Sequence, residues 1–205
     1  MTPISVGNDV VDLRQPAAKH SAANPRFLDR VFTDRECDAI AAAPDRMAML
    51  WTLFGAKEAG YKVVNKLRPA AAFAHNRFEV SADLSELFYD DIYLRLSIDR
   101  TDDRVHVVAC TLVGVHMAGV GSVPPGADPS AAVRDLLKAA VASRVGCAAG
   151  DLAVVREKSP GSWDGFGPPR LLLRGRPAEI DVSLSHDGRF VAFAAAGAML
   201  SAAEG

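Results

Sequence analysis

The amino-acid sequence predicts an α+β protein built from two similar halves. The same order of elements occurs twice along the chain: a strand, a long helix, and further strands that end in a hairpin. The two long helices are predicted to begin near residues 46 and 128. Recurrence of one element order indicates a structural repeat. We therefore expect residues 1–111 and 112–205 to form two α+β halves that pack against each other as a pseudo-dimer.

Composition narrows the classes of protein to which the chain could belong. Its 205 residues are enough to bury a sizeable core, and 49% of them are hydrophobic. Such a composition excludes an intrinsically disordered chain. The formal net charge of -2 gives no electrostatic reason to expect nucleic acid as the main partner. The longest apolar runs are too short for a bilayer-spanning helix, so we expect no membrane segment.

Cysteine usage and the N-terminus both favour the cytoplasm. The three cysteines are far apart, and no CxxC or Cys/His ligand spacing occurs. That pattern favours neither a disulfide framework nor a zinc site. No basic segment precedes an apolar run at the N-terminus, so the sequence predicts no signal peptide.

Capping residues predict where the helices begin. Thr33 with Glu36 three residues later is the capping-box pattern of a short helix. Asp45 is placed to cap a longer helix over about residues 46–67, and Asp128 to cap a third over residues 128–145. Strands are predicted from alternating apolar residues and flanking turn signals, at residues 4–13, 78–80, 92–98, 105–109, 112–123, 151–156, 170–173, 180–185 and 189–195. The last two flank Asp187-Gly188, a strong hairpin signal.

The first segment that could carry a chemical function is GNDVVD, residues 7–12. A carboxylate on a buried strand is costly unless it is paired or bound to a metal ion. On its own this segment is most simply explained by an aspartate at the end of a strand that caps a neighbouring loop.

The second segment is WTLFGAKEAGYK, residues 51–62. Glu58 and Lys62 lie one helical turn apart and share a face with Trp51. The pair is either a surface ion pair or a partly buried site that holds a divalent metal and a phosphate together. Magnesium suits carboxylates combined with phosphate oxygens and water.

The third segment is SLSHDGRF, residues 183–190. Ser183 and Ser185 face one side of the predicted strand, and His186 lies at its end. Hydroxyls, backbone amides and an imidazole can together receive an anion. The alternative is a hairpin that simply carries polar residues near its turn.

The order of these segments resembles the 4′-phosphopantetheinyl transferase superfamily, and most closely its holo-acyl-carrier-protein synthase branch. The resemblance rests on five segments in the family's order: GNDVVDL at 7–13, RFLDRVFTDRE at 26–36, FGAKEAGYK at 54–62, GPPRL at 167–171 and SLSHDGRFVAFA at 183–194. It implies transfer of the 4′-phosphopantetheine arm of coenzyme A to a serine of an acyl or peptidyl carrier protein. The reaction would depend on Mg²⁺ and release 3′,5′-ADP. The resemblance leaves Mn²⁺ and the particular carrier protein open.

The resemblance also implies roles for particular residues. Asp9 and Glu58 would be the metal ligands, with Glu58 taking the serine proton directly or through a water. Lys62 would hold the phosphate and stabilise the departing ADP. The remaining residues would bind the phosphates of coenzyme A, with the last two as weaker candidates: Ser185, His186, Lys158 and Arg170.

One position departs from the pattern of the larger, surfactin-type members of the family. They often place a second acidic residue two positions after the first aspartate, where this chain has Val11. The third metal ligand is then either water or Asp12. A regular strand turns Asp12 to the side opposite Asp9, which favours water.

The charge distribution suggests a docking face for an acidic carrier protein. The first 68 residues carry a net positive charge and the remainder a net negative one. The basic residues that follow the first motif are candidates for that face, although an ordinary charged loop explains them equally well: Arg14, Lys19, Arg26 and Arg30.

The division of the motifs between the halves predicts one site at their junction, and hence a functional monomer. Asp9 and the predicted helix that carries the Lys57-Glu58 motif (the KE helix) lie in the first half, and the SLSH segment at residues 183–186 lies in the second. Two alternatives are consistent with the same motifs. One is a catalytically weak or repurposed member that binds coenzyme A, and the other is a non-enzymatic interaction protein whose KE helix is purely structural.

Overall fold

Two antiparallel five-stranded sheets, each packed against one long helix, make up the fold. The computed structural model describes residues 3–15, 24–69, 71, 74–111, 116–159 and 165–200. Within those residues there are four α-helices, so the predicted α+β class is confirmed. None of these helices combines the length and the apolar composition needed to cross a membrane.

The elements have the following bounds. The helices are α1 (Pro25–Val31), α2 (Asp34–Ala42), α3 (Arg46–Leu67) and α4 (Pro129–Val145). The strands of the first sheet are β1 (Val6–Asp12), β2 (Glu79–Val80), β3 (Glu86–Tyr89), β4 (Ile92–Arg100) and β5 (Arg104–Cys110). Those of the second are β6 (His116–Ser122), β7 (Leu152–Val155), β8 (Arg170–Leu173), β9 (Arg176–Asp187) and β10 (Phe190–Ala196). Short 3₁₀ turns lie at His75–Arg77, Ala149–Asp151 and Ala198–Leu200.

The two sheets have the same topology. Their strand orders are β1-β5-β4-β3-β2 and β6-β10-β9-β8-β7. The registers also correspond, since Val6 of β1 faces Cys110 and His116 of β6 faces Ala196. The expected repeat of two similar α+β halves is therefore present in the fold, and each position of β1 has an equivalent in β6.

Local capping explains the helix boundaries. Thr33 and Glu36 form the predicted capping box at the start of α2. The Asp45 side chain accepts a hydrogen bond from the Ala48 amide, and α3 spans the predicted residues. Asp128 caps α4, as the sequence predicts. Each of these contacts joins residues within one turn of helix, and this is why sequence alone predicts them.

Strand boundaries differ more from the prediction. The final hairpin turns at Gly188-Arg189, one residue later than expected, because Phe190 pairs with Asp187. Strand β9 begins at Arg176 rather than near residue 180. Strand β3 and helix α1 were not predicted. Of the predicted strand at 112–123, residues 112–115 lie outside the described residues.

A small apolar cluster joins the two sheets. Each sheet and its long helix enclose a separate core, and a third cluster lies between the sheets. Its buried members come from β1, β5 and β10: Val6, Val108, Cys110, Ala194 and Ala196. The halves are thus joined by apolar contact that brings β1 alongside the β9–β10 hairpin.

The free edge of β1 is satisfied by side chains of the second half. The amide of Val6 donates to Asp181 Oδ2 at 2.8 Å and that of Asn8 to Ser183 Oγ at 3.0 Å. The amide of Asp12 donates to Asp187 Oδ2 at 2.8 Å. Because a buried backbone amide must find an acceptor, these bonds set the register between the halves.

Lys66 of α3 completes this junction. Its ammonium donates to the Val6 carbonyl at 2.7 Å, to the Val182 carbonyl at 2.8 Å and to Asp181 Oδ2 at 2.9 Å. Burial lowers the pKa of Lys66, and the Asp181 carboxylate opposes that change. One lysine therefore ties the helix of the first half to β9 of the second.

Candidate active site

The site is built where β1 crosses α3, and the crossing depends on Gly7. A Cβ atom at Gly7 would lie 2.0 Å from the carbonyl oxygen of Ala59 and 3.1 Å from Lys62 Cβ. Only glycine allows the strand backbone to approach the helix this closely. The approach places Asp9, two residues further along β1, against the face of α3 that carries the KE motif.

Asp9 and Lys62 form an ion pair in this crossing. Lys62 Nζ lies 3.0 Å from Asp9 Oδ1 and 2.6 Å from the carbonyl oxygen of Asn8. The side chains of Asp9 and Lys62 are 17% and 29% exposed. The pair is therefore shielded from water without being sealed from it.

Negative charge accumulates around Asp9. Burial raises the pKa of Asp9 to about 6, against the opposing charge of Lys62, and the nearby carboxylates of Glu58 and Asp187 add to the rise. Glu58 lies on α3 one turn before Lys62. The structure thus brings three of the predicted site residues together, as two carboxylates and one ammonium.

Two carboxylates in this setting suit a magnesium ion. Magnesium is commonly held by one or two protein carboxylates together with water and substrate phosphates. Asp9 and Glu58 supply such oxygens, and a cation beside them would oppose both the burial and the carboxylate repulsion that raise the pKa of Asp9. Among the described residues, no group of three or more His, Cys, Asp or Glu is arranged to hold a metal ion. The donors present therefore fit an ion that takes its remaining oxygens from water and substrate.

Asp12, the alternative third ligand, is committed to a different partner. Its Oδ2 accepts from Arg189 Nε at 2.9 Å and its Oδ1 from Arg189 Nη2 at 2.7 Å. The hydrogen bonds from Arg189 hold the pKa of Asp12 at about 2. The Asp12 side chain is only 2% exposed. It links β1 to the turn of the β9–β10 hairpin.

Ser185 is buried in the junction, whereas His186 is exposed. Ser185 Oγ accepts a hydrogen bond from Asn8 Nδ2 at 2.9 Å. The next residue, His186, turns to the opposite side of β9 and reaches solvent. Of the two predicted phosphate-binding side chains on this strand, His186 is the one that an anion can reach.

His106 belongs to the same buried network. Burial lowers the pKa of His106 to about 4, so its ring is neutral, and its Nε2 lies 3.2 Å from Asn8 Nδ2. A neutral ring nitrogen accepts the amide proton that Asn8 offers. The sequence shows no signal for this contact, because His106 lies 98 residues from Asn8.

The weaker phosphate candidates lie in the second half of the chain. Arg170 begins β8, faces Asp181 in the strand register and pairs with the carboxylate of Glu157. Lys158 forms an isolated bridge with Phe166. Neither has a described hydrogen bond or ion pair with Asp9, and Arg170 lies one strand from the junction.

An open cavity of about 540 Å³ lies beside the hairpin turn. Its walls include Pro124 and Pro125 of the loop after β6, Arg189 and Phe190 of the hairpin, and Asp103 of the first half. Cavities that hold small molecules have about this size, on the order of 300–1,000 Å³. Arg189 lines this cavity and donates hydrogen bonds to Asp12 of β1, so the cavity adjoins the strand that carries Asp9.

The segment that carries Asp9, Glu58 and Lys62 matches a known protein family. Residues 5–104, which hold Asp9, Glu58 and Lys62, match the model of the 4′-phosphopantetheinyl transferase superfamily. The match covers 100 of the 205 residues, and this part of the chain is similar to that superfamily. The resemblance stated from the motifs is thereby confirmed, and phosphopantetheinyl transfer is the general activity of the family. No curated protein matches the sequence.

The superfamily motifs do not include every side chain at the site. His75 Nε2 lies 3.1 Å from Glu58 Oε1, although the sequence shows His75 only as one of several scattered histidines. Lys57, beside Glu58 in the KE motif, is completely buried. Nothing in the local sequence pattern marks His75 as a partner of Glu58, and the motif that contains Lys57 does not show that this lysine is buried.

Proposed function

We propose that this protein transfers the 4′-phosphopantetheine arm of coenzyme A to a serine of an acyl or peptidyl carrier protein and releases 3′,5′-ADP. The observation that carries the proposal is the convergence of Asp9, Glu58 and Lys62 at the crossing of β1 and α3. These residues lie inside the segment that matches the family.

The proposed reaction displaces one oxygen at phosphorus by another. The serine Oγ forms a bond to the β-phosphorus of coenzyme A, and the bond from that phosphorus to the oxygen bridging to the α-phosphate breaks. The serine proton must be removed, and 3′,5′-ADP departs with the bridging oxygen. Such steps depend mainly on positioning and on neutralisation of charge.

Each residue at the crossing supplies one of these requirements. Asp9 and Glu58 would hold Mg²⁺, which when bound neutralises charge on the pyrophosphate. Glu58 would take the serine proton, directly or through a water. Lys62, which pairs with Asp9 at 3.0 Å, would bind a phosphate oxygen and stabilise the departing ADP.

The second half supplies the coenzyme A contacts in this proposal. The exposed His186 and the cavity beside Arg189 lie on the β9–β10 hairpin, next to the strand that carries Asp9. Ser185 supports the hairpin through Asn8. Lys158 and Arg170 remain outer candidates for the 3′-phosphate or the pyrophosphate.

We propose one site per chain, formed between residues 1–111 and 112–205, in a functional monomer. The register makes Gly119 of β6 the equivalent of Asp9. A Cβ at Gly119 would lie 2.7 Å from the ring of Phe193, so this position holds neither a carboxylate nor room for one. The equivalent of His186 in the first half is Arg100. The second half therefore has no equivalent of the Asp9 carboxylate, and the first half has no equivalent of the His186 imidazole.

An acidic carrier protein would dock on exposed basic residues of the first half of the chain. Arg26 and Arg30 on this helix are exposed, and so is Arg14 after β1. Lys19 lies outside the described residues. Complementary charge would speed the encounter with an acidic partner, and added salt would slow it.

Mass spectrometry of an apo carrier protein tests the proposal. Incubation with coenzyme A, Mg²⁺ and the protein is expected to add the mass of one phosphopantetheine arm per carrier. Glu58→Gln is expected to lose both transfer and metal-dependent binding of coenzyme A. Asp12→Asn is expected to keep the metal-dependent binding of coenzyme A, because the Asp12 carboxylate is already hydrogen-bonded to Arg189. No mass gain with several carriers, despite binding of coenzyme A, would indicate a repurposed binding protein instead.

A further inference from the structure

A histidine outside the family motifs contacts the proposed catalytic carboxylate. His75 Nε2 lies 3.1 Å from Glu58 Oε1, although 17 residues separate them. A carboxylate only accepts hydrogen bonds, so the ring nitrogen donates and Nε2 carries the proton. Both side chains are about one-fifth exposed, at 22% and 23%. The contact is therefore partly shielded from competing water.

An aromatic neighbour on the same helix face holds the imidazole ring. The His75 ring stacks on Phe54, with ring centroids 5.5 Å apart and planes at 25°. Phe54 precedes Glu58 by four residues on α3, so the two share one face. Phe54 is held in turn by Trp51, at 5.2 Å, and by Phe27, at 6.0 Å. The ring is thus supported from the side while its edge meets Glu58.

The backbone of His75 is fixed to the same helix by Lys57. The buried Lys57 ammonium donates to the carbonyl of His75 at 3.1 Å and to that of Phe78 at 2.8 Å. It also donates to the Val31 carbonyl at 3.0 Å and pairs with Glu36 at 2.6 Å. A buried ammonium is stable only when its protons are satisfied in this way. The residue before Glu58 therefore anchors the segment that carries His75.

We propose that His75 is a positioning residue for Glu58. Its hydrogen bond occupies one oxygen of the carboxylate and fixes the rotation of the group. The other oxygen is then left for the metal ion. Residues that hold a ligand in this way commonly change metal affinity or activity by about 10- to 100-fold when they are removed. This inference rests on the proposed function, because it assigns a role to Glu58 in that reaction.

Three variants test the proposal: His75→Ala, His75→Gln and Asn76→Ala. Glutamine keeps an N–H donor in place of the ring nitrogen, whereas alanine removes it. Asn76 is the exposed neighbour in the same 3₁₀ turn and serves as the control. Binding of Mn²⁺ in the presence of coenzyme A is measured from the EPR signal of the free ion, alongside carrier modification and thermal unfolding.

The expected result is a loss of Mn²⁺ affinity in His75→Ala of about 10- to 100-fold. We expect substantial recovery in His75→Gln and no change in Asn76→Ala. Wild-type affinity in a folded His75→Ala would overturn the role of His75 while leaving the proposed function intact. Equal losses in the alanine and glutamine variants, matched by equal falls in unfolding temperature, would also overturn it. A wild-type protein that neither binds the ion nor modifies a carrier would remove the proposed function, and this inference with it.

Discussion

Replacing Asp9 with asparagine is expected to stabilise the metal-free protein at neutral pH. Burial and the neighbouring Glu58 raise the pKa of Asp9 to about 6, from its usual 3.8. The folded protein therefore binds this proton more tightly than the unfolded chain does. The free energy of unfolding of the wild type accordingly falls as the pH rises from about 4 to about 6.

The two pKa values give the size of the effect. The difference between 3.8 and about 6 corresponds to about 3 kcal/mol, at 1.36 kcal/mol for each pKa unit. Asparagine carries no charge at any pH. We therefore expect Asp9→Asn to exceed the wild type in stability by up to about 3 kcal/mol at pH 8, and to lose this advantage as the pH falls towards 4.

Urea unfolding in EDTA at pH 4.5, 6 and 8 measures this difference, and Asp12→Asn is the matched control. Asp12 lies on the same strand, but its bonds to Arg189 hold its pKa at about 2. Its folded pKa is depressed, so Asp12 stabilises the protein above about pH 4 and loses this effect as the pH falls towards 2. Asp12→Asn should therefore lower stability at pH 8, by about 2 kcal/mol. A destabilised Asp9→Asn, or an advantage equal at pH 4.5 and 8, would refute the reasoning.

Two further substitutions test the packing around the site. Gly7→Ala places a methyl group 2.0 Å from the Ala59 oxygen, whereas Gly150→Ala meets nothing within 4 Å. We expect the first to lose at least about 1–3 kcal/mol by urea unfolding and the second to resemble the wild type; equal stabilities would contradict the tight crossing. Lys57→Met leaves the Glu36 carboxylate, which is 3% exposed, without its counter-ion. Its expected cost is about 3–5 kcal/mol, part of which Glu36→Gln should restore in the double variant, and a neutral Lys57→Met would disprove the role assigned to that pair.

Local signals predict three of the four described helices well and the strand ends less well. The caps at Thr33, Asp45 and Asp128 join residues within one helical turn, so their pattern is complete in a few letters of sequence. The end of a strand depends instead on what lies beside it. Strand β9 extends back to Arg176 because β8 pairs with it there, across a tight turn that the alternation pattern does not show.

The residues of the candidate site likewise include some that local sequence predicts and some whose contacts depend on the tertiary structure. Asp9, Glu58 and Lys62 are recognisable from motifs, and strand alternation predicts that Asp12 faces away from Asp9. That Asp12 pairs with Arg189 of the other half depends on how the two sheets meet. Ser185 lies on the predicted face of its strand. The prediction could not show that this face is buried against Asn8, because that contact spans 177 residues.

The sequence by itself therefore determined the fold class, the limits of helices α2, α3 and α4, and the family motifs, since each is encoded in neighbouring residues or in their order. Only the tertiary structure decided which charges are exposed and which are neutralised. Burial and long-range partners set the pKa of Asp9 at about 6 and that of Asp12 at about 2, although both are aspartates on one strand. The partners responsible reach β1 from α3 and from the second half of the chain, and no local pattern encodes their approach.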